Sequence, residues 1–176
     1  MKRNRVVLRR KSMSFLSCVL VSPIILIGYI ALDSLSSGID ADALAVAAAS
    51  FGTIFFILRV TRARVVLADV NILVINPVFT YEVPYGAVRS VREENTLILV
   101  TKVDGAVYSA AFGSSVIDHF VRSTGRAVDA VDRRVRAFRG GGEGRVVKRM
   151  TRAWVTDLFG LGALICGVAA VWAGSL

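Results

Sequence analysis

Residues that carry chemistry are scarce in this chain. Its 176 residues include 1 histidine, 2 cysteines and 3 prolines. The lone His119 has no second ligand at metal spacing and falls on the polar side of a predicted helix, so a surface residue is expected and no metal site. Cys18 and Cys166 lie at different depths of separate apolar runs, which argues against a disulfide between them. The 13 acids are scattered, and Glu93-Glu94 is a turn pair without a partner carboxylate placed for acid–base work. There is no phosphate-cradling glycine loop, nucleophile elbow or paired-histidine zinc motif; Gly140-Gly141-Gly142 follows no strand and ends in no lysine–serine pair. Neither an enzyme nor a cofactor is expected.

Apolar residues and positive charge are abundant. Hydrophobic residues make up 55% of the chain while aromatics stay at 9%, the balance of a small domain joined to a few membrane spans. The net charge of +9 is unevenly placed. Residues 1–12 hold six Lys/Arg, 59–64 three, and 122–152 ten against three acids, whereas 65–121 hold three against six acids. The basic charge therefore flanks a mildly acidic island. Membrane topology explains this pattern better than nucleic acid does, so no nucleic-acid partner is expected.

The basic N-terminus, 1–12, precedes the uncharged run Met13 to Leu32, whose twenty residues span about 30 Å as a helix with Pro23 inside it. A cleaved secretory signal is the rival reading; the run exceeds the usual apolar region of about 7–15 residues, which favours an uncleaved span. Asp33, Asp40 and Asp42 bracket a short loop, and a second span completes a transmembrane hairpin over 13–60. Ala41, Ala45, Ala49 and Thr53 recur every fourth residue and offer a face for close helix packing. Arg59, Arg62 and Arg64 close this span. With positive charge outside both ends of the hairpin and acids in its loop, the N-terminus and the island belong in the cytoplasm, beneath the plasma (inner) membrane.

Within the island, short β-branched runs alternate with turns: Val65–Leu67, Ile72–Ile75, Phe79–Val83, Ala87–Val91, Leu97–Val100 and Val107–Phe112. Asn76-Pro77, Glu93-Glu94-Asn95 and Asp104-Gly105 supply the turns. Six strands in meander order are predicted. Phe79, Tyr81 and Val83 are expected on one face of their strand, and Tyr108, Ala110 and Phe112 opposite Ser109 and Ala111 on another. Ser115 and Asp118 then resemble a capping box ahead of an apolar helical face of Val116, Ile117, Phe120 and Val121.

The island resembles the bacterial PH-like domain family, particularly the small actinobacterial low-molecular-weight-protein-antigen type. Arg64-Val65-Val66, Asp69, Ile72 to Asn76, Val83-Pro84-Tyr85 with Val88 and Val91, Leu97, Asp104-Gly105 and Ser114-Ser115 carry the likeness, about a third of the chain. Asn71 and Tyr85 stand where such domains often have Gly and Trp, and both are tolerable replacements. Together with the apolar spans this makes a membrane α plus soluble β fold, and the resemblance implies for 64–123 a PH-like antiparallel barrel or half-barrel with a C-terminal helix, acting as a binding or scaffolding module without catalytic residues.

After a break expected at Gly125, Arg126 to Arg139 reads as an amphipathic helix with Val128, Val131, Val135 and Phe138 on one face. Two placements suit it, on an anionic membrane surface or against the sheet, and the second is preferred. Residues 124–152 continue as a glycine-rich linker and a basic collar of Arg145, Lys148, Arg149 and Arg152. Trp154 and Trp172, eighteen residues or about 27 Å apart on a helix, anchor a third span over 153–173 that places the C-terminus outside. Gly160, Gly162, Ala163, Gly167 and Ala170 form its packing surface, and Asp157 is expected at the interface.

The reading is of a multi-pass protein whose partners are membrane lipids and an unknown protein. Weak anionic-lipid contacts are expected at Arg59, Arg62, Arg64, Arg133, Arg134, Lys148, Arg149 and Arg152, interface anchoring at Trp154 and Trp172, and helix packing at Ala45, Ala49, Thr53, Ala163 and Gly167. Those packing faces also permit a homo-oligomer. The alternative is an accessory or structural subunit of a larger membrane complex, held through the same faces.

Overall fold

The computed structural model describes residues 5–9, 11–94, 96–113, 123–138 and 144–175. In chain order their elements are β1 (Val6–Leu8), α1 (Lys11–Ser34), α2 (Ala41–Thr61), β2 (Arg64–Leu67), β3 (Asn71–Ile75), β4 (Phe79–Pro84), β5 (Val88–Glu93), β6 (Thr96–Thr101), β7 (Ala106–Gly113), α3 (Ser123–Ala137), β8 (Val147–Met150) and α4 (Trp154–Ala173). They divide into a helical unit, residues 12–61 with 152–176, and a β-rich unit, residues 1–11 with 62–151.

Three helices of the helical unit are long and apolar enough to cross a membrane. Asp40 starts α2 by accepting the Asp42 amide on its side chain at 3.0 Å, and Asp42 and Arg59 lie at the helix ends where the dipole favours their charges. Pro23 sits inside a continuous α1. Small residues set the helix spacing. A Cβ built on Gly160 would stand 3.0 Å from the Phe55 ring and one on Gly162 3.2 Å from Phe51, so only glycine admits these rings at their present distance. Gly52 faces Ala163, Ala48 faces Gly167, and Ala41 lies beside Gly174, an antiparallel register for α2 and α4. Gly28 meets Ser50, and the Thr61 and Ser17 hydroxyls are 3.5 Å apart, so α1 also runs antiparallel to α2. The starts of α1 and α4 therefore share one end of this unit with the finish of α2.

In the β-rich unit all strand pairs are antiparallel. One sheet has the order β1-β2-β3-β4-β8 and the other β5-β6-β7. Val65, Leu67, Ile72, Val74, Val83, Leu97 and Leu99, each at most 2% exposed, fill the core with Val107, Ala111 and Phe112. Helix α3 adds Ala127 and the fully buried Val131, and packs Val128, Val135 and Phe138 alongside. Its apolar stripe is thus spent on the core, the preferred of the two placements. Full burial of one such aliphatic side chain is worth about 1.5–3 kcal/mol.

The six expected strands all form, but a 3-10 turn at Tyr85–Ala87 separates them into two sheets. Gly105 has φ +81 and closes the β6–β7 hairpin, where Thr101 binds the Gly105 carbonyl through its amide at 2.8 Å and its hydroxyl at 2.6 Å. Three expectations need correction. The stretches read as a basic tail and a linker contribute β1 and β8: Val6-Val7-Leu8 pairs with β2, and Val147–Met150 with β4. Both are edge strands, too short or too charged to show a buried face in sequence. Gly125 does not interrupt α3, which begins at Ser123; it lies in the first turn, where the Glu93 carboxylate stands beside the positive end of the helix. The face of β7 is inverted up to Ala110: Val107, Ser109 and Ala111 are buried while Tyr108 is 58% exposed. A register shift, with Leu97 opposite Ser109 but Thr96 opposite Gly113, bulges the strand and buries both Ala111 and Phe112. The capping box at Ser115 with Asp118, its apolar face, His119, Arg139 and the triglycine lie outside the described residues.

Candidate functional site

The cationic residues sort by what they touch. Arg62, Arg64, Arg133, Lys148, Arg149 and Arg152 are exposed, as lipid contact requires. Arg59 is not: its side chain is 13% exposed, ion-paired with Asp157 at 3.1 Å and stacked 5.3 Å from the Phe55 ring centroid. Asp157 also accepts the Ala153 amide at 3.3 Å, so it caps α4 while pairing with the last turn of α2. Arg134 is half-buried and hydrogen-bonds Tyr85. Burial pushes the Tyr85 phenol upward, a shift that the Arg134 hydrogen bond opposes. Tyr85 is 2% exposed, donates to the Ala68 carbonyl at 2.9 Å and stacks on Phe138 with centroids 5.2 Å apart, fixing α3 to the sheet.

On the helices, Trp154 and Trp172 stand exposed near the two ends of α4. Ala163 and Gly167 line the seam with α2, where they meet Gly52 and Ala48. Ala45, Ala49 and Thr53 instead form an exposed stripe on another face of α2, with the Thr53 hydroxyl bonded back to the Ala49 carbonyl at 2.8 Å. Periodicity identified a small-residue stripe but could not say which of two adjacent ones a neighbour would take.

Sequence reading missed a cleft in the β-rich unit. Asn76, taken as a turn residue, reaches from the β3–β4 connection to β7 and behaves as a missing strand neighbour. Its Nδ2 donates to the Tyr108 carbonyl at 2.8 Å, and its Oδ1 accepts the Ala110 amide at 2.8 Å. On the opposite edge of the bulge, the Thr96 hydroxyl lies within hydrogen-bonding reach of the Ser109 and Phe112 carbonyls. Between these ties opens a cleft of about 510 Å³ walled largely by Pro77, Val78, Phe79, Tyr81, Tyr108 and Ala110. Lys148 Nζ stands 3.8 Å from the Phe79 ring centroid and 5.9 Å from that of Tyr81. Ser109 meets the cleft edge next to Thr96, but its side chain, 1% exposed, lies on the opposite, core face of β7 with Val107 and Ala111. An Asn-Pro pair ahead of an aromatic strand was the only trace of this in the sequence.

Among the described residues no three His, Cys, Asp or Glu side chains cluster to hold a metal. No family model, curated protein or solved structure matches the chain.

Proposed function

We propose that this chain is an integral membrane protein that presents a cytoplasmic PH-like module to the anionic surface of the plasma (inner) membrane, as a binding or scaffolding element without catalysis. One observation carries the reading: the helix register of the helical unit brings the starts of α1 and α4 to the same end as the finish of α2, and the chain is basic at all three junctions, 1–12, 59–64 and 145–152. Lysine and arginine concentrate on the cytoplasmic side of membrane proteins. Each basic residue near an anionic leaflet contributes about 1 kcal/mol of attraction. The small antiparallel sheets with α3 packed into their core support the PH-like reading, whose own C-terminal helix is expected at 115–121, and the acidic balance of residues 65–121 argues against phosphoinositide recognition by the sheet itself.

Val103, 75% exposed in the β6–β7 hairpin, gives the test of orientation. In a chain freed of Cys18 and Cys166, Val103→Cys is expected to resist a membrane-impermeant thiol reagent in intact cells and to react after lysis. Reaction in intact cells overturns the topology. The exposed stripe Ala45, Ala49 and Thr53 favours a second reading, an accessory subunit held in a larger complex through α2. Migration of the mildly solubilised protein as a discrete heteromer on a native gel, lost on Ala49→Leu, would favour that reading.

A further inference from the structure

We propose that the open edge of β8 takes up one further strand, an extended acidic segment of a partner protein with the core pattern apolar–acid–acid–apolar. This deepens the binding-module reading, on which it rests, by naming the partner and the place where it docks. β8 ends the five-stranded sheet, and among the described residues no strand lies on its far side. All 4 of its residues are exposed. Thr151 donates its amide to the Val78 carbonyl at 2.9 Å, and opposed residues of an antiparallel pair alternate between hydrogen-bonded and non-bonded. Arg149 and Val147 therefore bond to Thr80 and Glu82 of β4, while Lys148 and Met150 each turn an N–H and a C=O outward. Just before the strand the edge is closed by a carboxylate of the chain itself, since Asp104 Oδ2 accepts the Val146 amide at 2.8 Å.

The side chains state which strand fits. Val147, Lys148, Arg149 and Met150 run apolar, cation, cation, apolar, with Val147 42% and Met150 71% exposed. Directly opposed side chains of neighbouring strands stand about 4.5–5.5 Å apart, where opposite charges attract and like charges repel. A segment reading apolar–acid–acid–apolar matches all four positions whether it runs parallel or antiparallel. Both cations keep capacity for a carboxylate: Lys148 lies over the Phe79 and Tyr81 rings, and the exposed Arg149 reaches Glu82 only at 3.9 Å. A second copy of β8 does not fit, because Lys148 and Arg149 would stand against their own counterparts. Nor does the chain carry the matching pattern elsewhere, since its one pair of adjacent acids, Glu93-Glu94, is flanked by Arg92 and Asn95. An anionic leaflet meets the two cations but leaves the outward N–H and C=O groups to water, whereas an added strand engages both.

The test uses the full chain in phosphatidylcholine nanodiscs and a fluorescent, N-acetylated nonapeptide with valine–glutamate–glutamate–valine at its centre, binding being read by fluorescence polarisation. Met150→Pro removes an outward N–H and puts its ring on the open edge while keeping every bond to β4, a place where an edge strand tolerates proline. It is expected to abolish binding without changing the melting temperature of the β-rich unit. Lys148→Glu is expected to weaken the peptide about tenfold. One of the two peptides in which lysine replaces a single glutamate then restores the affinity, and which one does so gives the direction of the added strand. This exchange decides the matter even where Met150→Pro unfolds the unit. Binding unmoved by Met150→Pro, or restored by neither exchanged peptide, overturns the edge and leaves the module reading with a different site. Absence of any peptide binding overturns the proposal and leaves the cations to the lipid surface, a reading that the Val103→Cys result tests separately.

Discussion

Apolar residues hold both units together, but they work in opposite ways. In the β-rich unit Val65, Ile72, Val74, Val83, Leu97 and Leu99 are completely shielded. In the helical unit many large side chains point outward, Phe15 at 75%, Tyr29 at 65% and Leu164 at 64% exposure, while alanines, glycines and hydroxyl residues let the helices approach and admit Phe51, Phe55 and the buried Ile54 between them. Water drives the first arrangement, since removing apolar surface from it is itself favourable. Lipid removes that driving force between helices, so in the proposed bilayer close approach and a few polar ties hold the second.

If that contrast is right, the units fail under different substitutions. The largest effect falls on the shielded sheet: Leu99→Ala should cost about 2–5 kcal/mol through lost burial and a cavity, read as lost hydrogen-exchange protection in β5 to β7 with α2 and α4 unchanged. Equal loss in the helices would show the units to be one cooperative block. Next comes Gly160→Leu, where even a methyl meets the Phe55 ring; overpacking of about 1–3 kcal/mol should separate α2 from α4 and spare the sheets. Disulfide formation between Ala48→Cys and Gly167→Cys, in a background without native cysteines, reports it, because the two Cβ positions stand 3.9 Å apart.

Asn76→Ala removes both bonds to β7 and should cost about 1–3 kcal/mol, with faster exchange at the Ala110 amide than at the core amides of β6. Smallest is the coupling between Arg59 and Asp157 across the ends of α2 and α4. A double-mutant cycle with Arg59→Gln and Asp157→Asn should yield on the order of 1 kcal/mol or less, because the Asp157 side chain is 46% exposed. A coupling of several kcal/mol would mean the pair is desolvated and that polar ties, not small residues, dominate the helical unit.

The helices were legible because their signal is local. Uncharged runs of bilayer length, bounded by Arg59, Arg152 and the tryptophans, announce themselves without knowledge of a neighbour. The six central strands were legible for the same reason, as was the apolar stripe of α3. The β7 bulge was not: parity along an isolated strand assumes regular pairing, and here Leu97 and Thr96 pair with residues four positions apart. Nor was β8, whose Lys148 and Arg149 read as a juxtamembrane collar until β4 supplied a partner strand. The cleft was invisible for the same cause, because Asn76 and Tyr108 are 32 positions apart in the chain.

By itself, then, the amino-acid order settled how many long apolar helices there are, where positive charge accumulates, and which segments prefer extended backbone, since each follows from composition within a window of a few to twenty residues. Folding in three dimensions chose which small-residue stripe of α2 faces α4, gave Arg59 to Asp157, turned the face of β7 and opened the cleft beside Asn76. Those outcomes rest on contacts between residues distant in sequence, whose energies exist only once the chain has brought them together.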